Sequence, residues 1–221
     1  MNVRAAIAEG TGLLERASPG SPFLDAVLLL CHAMNLDKEH LLASMSDEVS
    51  GDHLSVYRKL LSRRAAGVPV AYILGWREFY GRRFAVDDGV LVPRPDTEVL
   101  VDVALGLLPE PVKPKVDTPD RRRVSPDAAG TAPSGELTER AARVHDAFCG
   151  SGCVGISIAA ERPDIQLELS DLSEHALAVA AINAGALLPG CFVGFGCGTV
   201  LSSATGRFDL ITANPDRKSV V

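Results

Sequence analysis

VHDAFCGSGCVG, residues 144–155, runs from an apolar strand pattern into a helical one through a turn that holds Gly150 and Gly152. Glycines let a backbone pass close to a bound ligand, and the N-terminus of the following helix offers free N–H groups. Asp146 falls at the end of the strand pattern. Such a turn is also common as plain structure, so a second feature has to carry the reading. Asp171 supplies it, at the end of LELSD. An acid about 20 positions after a glycine turn, at the tip of the next strand, is placed to accept both hydroxyls of a ribose. Alone, Asp171 reads as a cap for the helix that starts near Ser173; with the turn, it points to a nucleoside-bearing cofactor.

Working outward, the segments ARVHDAF, GISIAAE, IQLELSD, SEHALAVAAINA, CFVGF and FDLITAN alternate strand and helix before ending on strands. That order implies an α/β layer fold with parallel strands and crossover helices, whose ligands sit beyond the carboxyl ends of the strands. Upstream, PRPDTEVLVDVALGLLP predicts a helix with Asp96 or Thr97 as cap, Glu98 in its first turn and Pro109 as its stop. Between these, residues from about 110 to 138 are rich in Pro, Ala and charge without apolar period, which predicts a flexible insert. The triple arginine at Arg121 to Arg123 reads as a solvated cluster. VPVAYILG, REFYG and RRFAVDDGVLV predict β-structure around a hairpin, and the apolar spacing from Val3 to Ala66 predicts a helical bundle.

Composition bounds the partners. The 221 residues are 47% hydrophobic, enough for a substantial core, and the net charge of −6 argues against binding nucleic acid through bulk electrostatics. Cys31, Cys149, Cys153, Cys191 and Cys197 contain no CxxC pair, so neither a disulfide framework nor a metal site is expected, and reduced thiols suit the cytoplasm. No apolar run approaches the ~20 residues that span a bilayer.

The block GVPVAYILGWREFYGRRFAVDDGVLVPRPDTEVLV, residues 67–101, resembles the linker and first methyltransferase helix of the bacterial release factor glutamine methyltransferases, PRPDTE being its most specific part. That family modifies the glutamine of the Gly-Gly-Gln motif in peptide chain release factors. The resemblance implies a helical substrate-docking domain at 1–66, a β-hairpin linker at 67–93, and a Rossmann-like S-adenosylmethionine-dependent methyltransferase domain at 94–221. It implies a cytoplasmic monomer acting on release factors, with no membrane and no direct nucleic acid contact. Carried over by position, the cofactor turn is Phe148, Cys149, Gly150, Ser151 and Gly152, the ribose acid is Asp171, and Thr199 and Asn214 also meet the cofactor. Asn214 and Pro215 are the catalytic pair: the asparagine side chain and a neighbouring carbonyl accept hydrogen bonds from the substrate amide and align it, so no strong base is needed.

Three positions depart from the family pattern. Phe148 stands where the turn usually begins with glycine. Gly198, followed by Thr199, stands where an acid is expected near the adenine amino group. Asp216 and Arg217 replace the second proline and the tyrosine of Asn-Pro-Pro-Tyr, and the ending DRKSVV reads as a C-terminal truncation. Two alternatives follow: a catalytically inactive remnant that keeps release-factor docking, and a nucleic acid adenine methyltransferase, against which PRPDTE and the acidic balance count. His145 is expected to pack. Cys149 and Cys153 are either small turn residues or thiols acidified at a helix N-terminus. Trp76, Phe79 and Tyr80 serve hairpin packing or a partner.

Overall fold

The computed structural model describes residues 1–17, 20–111, 140–199 and 206–215. The predicted flexible insert lies almost wholly outside these residues, as do Asp216, Arg217 and the rest of DRKSVV. The chain divides into two compact units, Met1–Pro93 and Arg94–Val221.

The first unit is built on α1 (Val3–Ala17), α2 (Pro22–Met34), α3 (Lys38–Ala43) and α4 (Gly51–Ala65). Val3, Ala6, Ile7, Gly10 and Leu14 recur at helical spacing and form the buried stripe of α1. Pro22 suits the first turn of α2, and Asn35 ends it in the left-handed region at φ 52°. Asp37 caps α3 and Ser50 caps α4, each accepting a backbone N–H from the residue three positions on. The core gathers Leu29, Leu30, Leu41, Tyr57 and Leu61, with the Tyr57 hydroxyl donating to the Ala6 carbonyl at 3.3 Å. Arg64 pairs with Asp25 at 2.7 Å on the margin of this core.

One segment corrects the sequence reading. VAYIL, expected to be β, forms the short helix α5 (Val70–Leu74), opened at Pro69 and closed by Gly75 at φ 79°. Its β-branched and aromatic residues suit a strand, but a five-residue apolar run fits either state, and the Pro and Gly at its ends set the helix. The hairpin follows as predicted: β1 (Trp76–Phe79) pairs antiparallel with β2 (Arg82–Ala85). Tyr80 and Gly81 take φ of 50° and 68°, the positive values that a two-residue turn of this hand requires. Phe79 is buried edge-on against Phe84, while the Arg83 guanidinium lies 4.4 Å over the Trp76 ring.

In the second unit, Pro95–Thr97 forms a 3-10 turn leading into α6 (Glu98–Leu107). Thr97 occupies the cap position with helical backbone angles and no side-chain cap bond, so neither Asp96 nor Thr97 caps as predicted. After it come β3 (Arg143–Ala147), α7 (Cys153–Glu161), β4 (Gln166–Asp171), α8 (Glu174–Leu187), β5 (Val193–Cys197) and β6 (Leu210–Ala213). The strands form one parallel sheet in the order β5-β4-β3-β6, with α7 against β3 and β4 and α8 against β4 and β5. This is the expected α/β architecture. Val144, Ile156, Ile158 and Leu169 are fully buried or nearly so between sheet and helices. Among the described residues, no helix is long and apolar enough to cross a membrane.

Gly155 sets how closely α7 approaches the sheet. A Cβ there would stand 2.6 Å from Leu169 Cδ2 and 2.9 Å from Asp146 Cβ, both buried. Gly155→Ala is therefore expected to destabilise the chain by about 2 kcal/mol, overpacking outweighing the gain in helix propensity. Urea denaturation checks this; an unchanged or higher midpoint would contradict the close packing of α7.

Candidate functional site

The sheet brings the carboxyl ends of its strands into one row. Ala147 pairs with Ser170 on one side and with Ala213 on the other, so Phe148, Asp171 and Asn214 each follow directly on neighbouring strands. Asp171 in turn pairs with Cys197, and Gly198 donates its N–H to the Asp171 carbonyl at 3.1 Å. Thr199 is exposed beside it, and Asn214 and Pro215 are exposed at the other end of the row. Every residue proposed from the sequence thus lies at or just beyond this edge, in separate segments of chain.

The turn after β3 is held from several sides. Cys149 N–H donates to the Ser170 carbonyl at 3.0 Å, and Gly152 N–H closes back on the Cys149 carbonyl at 2.7 Å. Gly150 and Gly152 take φ of 54° and 77°. A Cβ on Gly152 would meet Ile156 Cδ1 at 2.7 Å, whereas one on Gly150 would meet nothing within 4 Å. Gly152 is needed for packing as well as conformation, and Gly150 leaves an open side where the backbone can be approached. Phe148 is also left-handed, at φ 57°. An L side chain pays about 1–2 kcal/mol for that conformation, which explains why glycine is usual there and means that the surrounding bonds hold Phe148 in place.

Asp171 does more than end a strand. Its Oδ2 accepts the Gly150 N–H at 2.9 Å and its Oδ1 accepts the Ser173 N–H at 3.0 Å. The cap of α8 is Ser173, whose hydroxyl accepts from Ala176 N–H at 3.2 Å, so the reading of Asp171 as that cap is set aside. An ionised carboxylate has about four acceptor sites, and these two bonds leave one on each oxygen. The implied group, S-adenosylmethionine, asks for acceptors of two ribose hydroxyls and for a bare stretch of backbone. Half-exposed Asp171 and the open side of Gly150 fit it. Among the described residues, no group of three His, Cys, Asp or Glu side chains is placed to hold a metal ion.

Behind the turn lies a buried carboxylate. Asp146, 2% exposed, accepts the Thr212 hydroxyl on Oδ1 at 2.7 Å and the Gly155 N–H on Oδ2 at 3.0 Å. Burial pushes its pKa up to about 6, against the opposing pull of those two donors and of His145, with Asp171 adding to the rise. A folded pKa above the unfolded value means that the contribution to stability is full below the ordinary aspartate range and is lost as pH rises through about 6. Asparagine could accept from Gly155 and donate to Thr212 without carrying charge. Asp146→Asn is therefore expected to flatten the fall in stability between about pH 4 and 6, read from urea midpoints across that range. A retained fall would assign it to another group.

Burial also pushes the Cys149 thiol far up and Cys153 up to about 12, each aided by Asp146. The acidified-thiol reading is overturned, because desolvation outweighs the helix N-terminus. His145 is wholly buried, its Nε2 3.0 Å from Ser170 Oγ and its ring 4.9 Å from that of Phe208. It packs, as expected.

Two residues of the site were missed in the sequence. Asn183 donates from Nδ2 to the Ser151 carbonyl at 2.9 Å, bracing the turn from α8. The signal was present: Asn183 is the polar member of the buried stripe Ala176, Val179, Ala180, Asn183, Ala184. Thr212 is the other; it is the polar residue of LITA, but threonine is common in strands, so its presence alone does not point to a buried partner.

Known proteins resemble the chain along most of its length. The PrmC N-terminal domain family matches residues 5–75, and the methyltransferase small domain family matches residues 130–218. The release factor glutamine methyltransferase of Bordetella pertussis (strain Tohama I) is 37% identical over 201 residues, which cover 90% of this chain and 63% of that protein. That of Koribacter versatilis (strain Ellin345) is 33% identical over 217 residues, covering 97% of this chain and 67% of that protein. A bifunctional methyltransferase of Rickettsia prowazekii (strain Madrid E) is 34% identical over 182 residues, 82% of this chain and 33% of that protein. The chain thus spans from a third to two thirds of the length of these relatives.

Proposed function

Because the chain belongs to the release factor glutamine methyltransferase family, we propose that it methylates the side-chain amide of the Gly-Gly-Gln glutamine in peptide chain release factors, acting in the cytoplasm as a monomer. The observation that supports this best is the row at the sheet edge, where the braced turn, Asp171 and Asn214 stand on neighbouring strands. S-adenosylmethionine, when bound, supplies an electrophilic methyl group. Asp171 accepts the ribose hydroxyls, and the turn from Phe148 to Gly152 receives the ligand along its open side at Gly150. Thr199 lies at the adenine end.

An amide nitrogen is a poor nucleophile because its lone pair is delocalised into the carbonyl. Asn214 compensates by orientation: its side-chain oxygen accepts a hydrogen bond from the substrate NH₂ and holds it in line for transfer, while Pro215, with its own φ fixed, restricts the backbone of Asn214 before it. The proton leaves to water once the nitrogen is alkylated, so no buried base is required. Raised Asp146 has no part in that transfer; it sits behind the turn, bonded to Thr212 and Gly155.

The test is transfer of labelled methyl to a purified release factor, compared with a factor whose target glutamine is replaced. Glutamine-dependent labelling is expected; labelling that ignores the replacement contradicts the proposal. A second reading, docking without catalysis, is favoured by one observation: Asp216 and Arg217 occupy the positions of the family's second proline and tyrosine. Release-factor binding without any transfer, in the same assay, would select it.

A further inference from the structure

We infer that Thr212 is a positioning residue of this site: through the Asp146 carboxylate, its hydroxyl ties the strand that leads into Asn214 to the start of α7 and the turn before it. The inference rests on the proposed function for the meaning of Asn214, and on the hydrogen bonds for everything else.

Thr212 is the polar residue of a strand that reads Leu-Ile-Thr-Ala, and it is 3% exposed. Burying a hydroxyl there costs free energy unless it is bonded, and valine would fill the same space with equal strand preference. Pairing of β6 with β3 runs through the backbone from Val144↔Leu210 to Ala147↔Ala213 and does not need the hydroxyl. What the hydroxyl adds is a short bond to a carboxylate, 2.7 Å, of the charge-assisted kind. The same carboxylate holds Gly155 N–H in the first turn of α7, 3.0 Å away.

The consequence is a strand pinned at both ends. At its start, Asp209 accepts Arg143 N–H at 2.8 Å and a two-pronged contact from Arg140. Toward its end, Thr212 is fixed through Asp146, two residues before Asn214. Placement of an aligning group matters at the scale of about 1 Å, which can be worth a hundredfold in rate, so a link at this point bears on the position of Asn214 relative to the turn.

The link has a signature that packing lacks. The groups facing Asp146 are His145 on its own strand, Asp171 from β4, and the thiols of Cys149 and Cys153 from the turn and α7. Of the two hydrogen-bond donors that favour the charged form, the Thr212 hydroxyl is the closer, at 2.7 Å against 3.0 Å for Gly155 N–H. Without it the carboxylate ionises at higher pH. A cationic sulfonium ligand nearby would favour the ionised form, so binding should follow that ionisation.

Calorimetric titration of the 221-residue chain with S-adenosylmethionine, at pH values on both sides of about 6, provides the test. In wild type, affinity is expected to rise through that range. Thr212→Val is expected to bind about tenfold more weakly at neutral pH, the loss of one bond to a charged group, with its rise displaced to higher pH. Thr212→Ser is expected to restore both, and thermal melts of the variants check that each is folded. Asp146→Asn, run in parallel, should remove the pH dependence. If Thr212→Val binds as wild type does with the same pH profile, the inference is wrong and the proposed function stands. Persistence of the pH dependence in Asp146→Asn overturns it too, even where Thr212→Val fails to fold. A wild type that binds no S-adenosylmethionine at any pH removes the proposed function and the inference with it.

Discussion

Replacing Asp171 with alanine is expected to weaken S-adenosylmethionine binding by roughly 10- to 100-fold, the equivalent of about 1.5–3 kcal/mol for hydrogen bonds to a charged acceptor. Two losses contribute. The ribose would lose its acceptor, and the turn would lose the brace between Asp171 Oδ2 and Gly150 N–H. Asp171→Asn separates them, because an amide retains one acceptor oxygen but presents an N–H₂ group to one of the two backbone donors. An intermediate affinity is expected for it in the calorimetric titration. Unchanged binding in Asp171→Ala would place the ligand away from this edge.

Asn214→Ala is expected to lower kcat for glutamine methylation by about 10²–10³-fold, the range for removing one preorganised group that acts on the transition state. Its exposed position after β6 leaves the fold little affected, so the melting temperature should change by no more than a few degrees. Labelled-methyl transfer under saturating release factor reads the effect directly. Transfer that survives Asn214→Ala would move the aligning role to another residue. Loss of transfer with loss of folding would instead mark Asn214 as structural.

The parts of this architecture that were legible in the sequence are those fixed by local pattern. The alternation from ARVHDAF to FDLITAN specified a parallel sheet because each segment carries its own period and its own turn residues. Gly81, which punctuates REFYG and RRFAV, marked the hairpin in the same way, whereas the left-handed φ of Tyr80 is seen only in the folded turn. VAYIL misled because a short apolar run has no period long enough to separate helix from strand, and its state was set by Pro69 and Gly75 at its ends. Phe148 was recognised as a departure from glycine, but the left-handed φ of 57° that makes it a costly one is a property of the folded turn.

The buried carboxylate shows the other limit. Asp146 was visible as a strand-end acid, yet its partner Thr212 lies 66 positions away in a strand with no polar pattern. Nothing within a window of neighbours connects them. The same holds for Asn183 and Ser151, which are 32 positions apart, although there the polar break in an apolar helical stripe was a usable sign. Cys149 and Cys153 were ambiguous for a related reason: a helix N-terminus lowers a thiol pKa and burial raises it, and only the folded environment decides which is larger.

The separation between β3 and β6 also governs when the site can exist during synthesis. β4 follows β3 closely and can pair with it early, but β6 reaches its place on the other side only after 66 further residues have been made. At about 5–20 residues per second, β3 waits with one edge open for roughly 3–13 s. Throughout that interval Asp146 lacks its hydroxyl donor, and the backbone of Val144 to Ala147 offers unpaired groups to any other strand it meets. The nascent chain therefore acquires its ribose acid and its glycine turn well before its asparagine, and is most prone to wrong association in the time between.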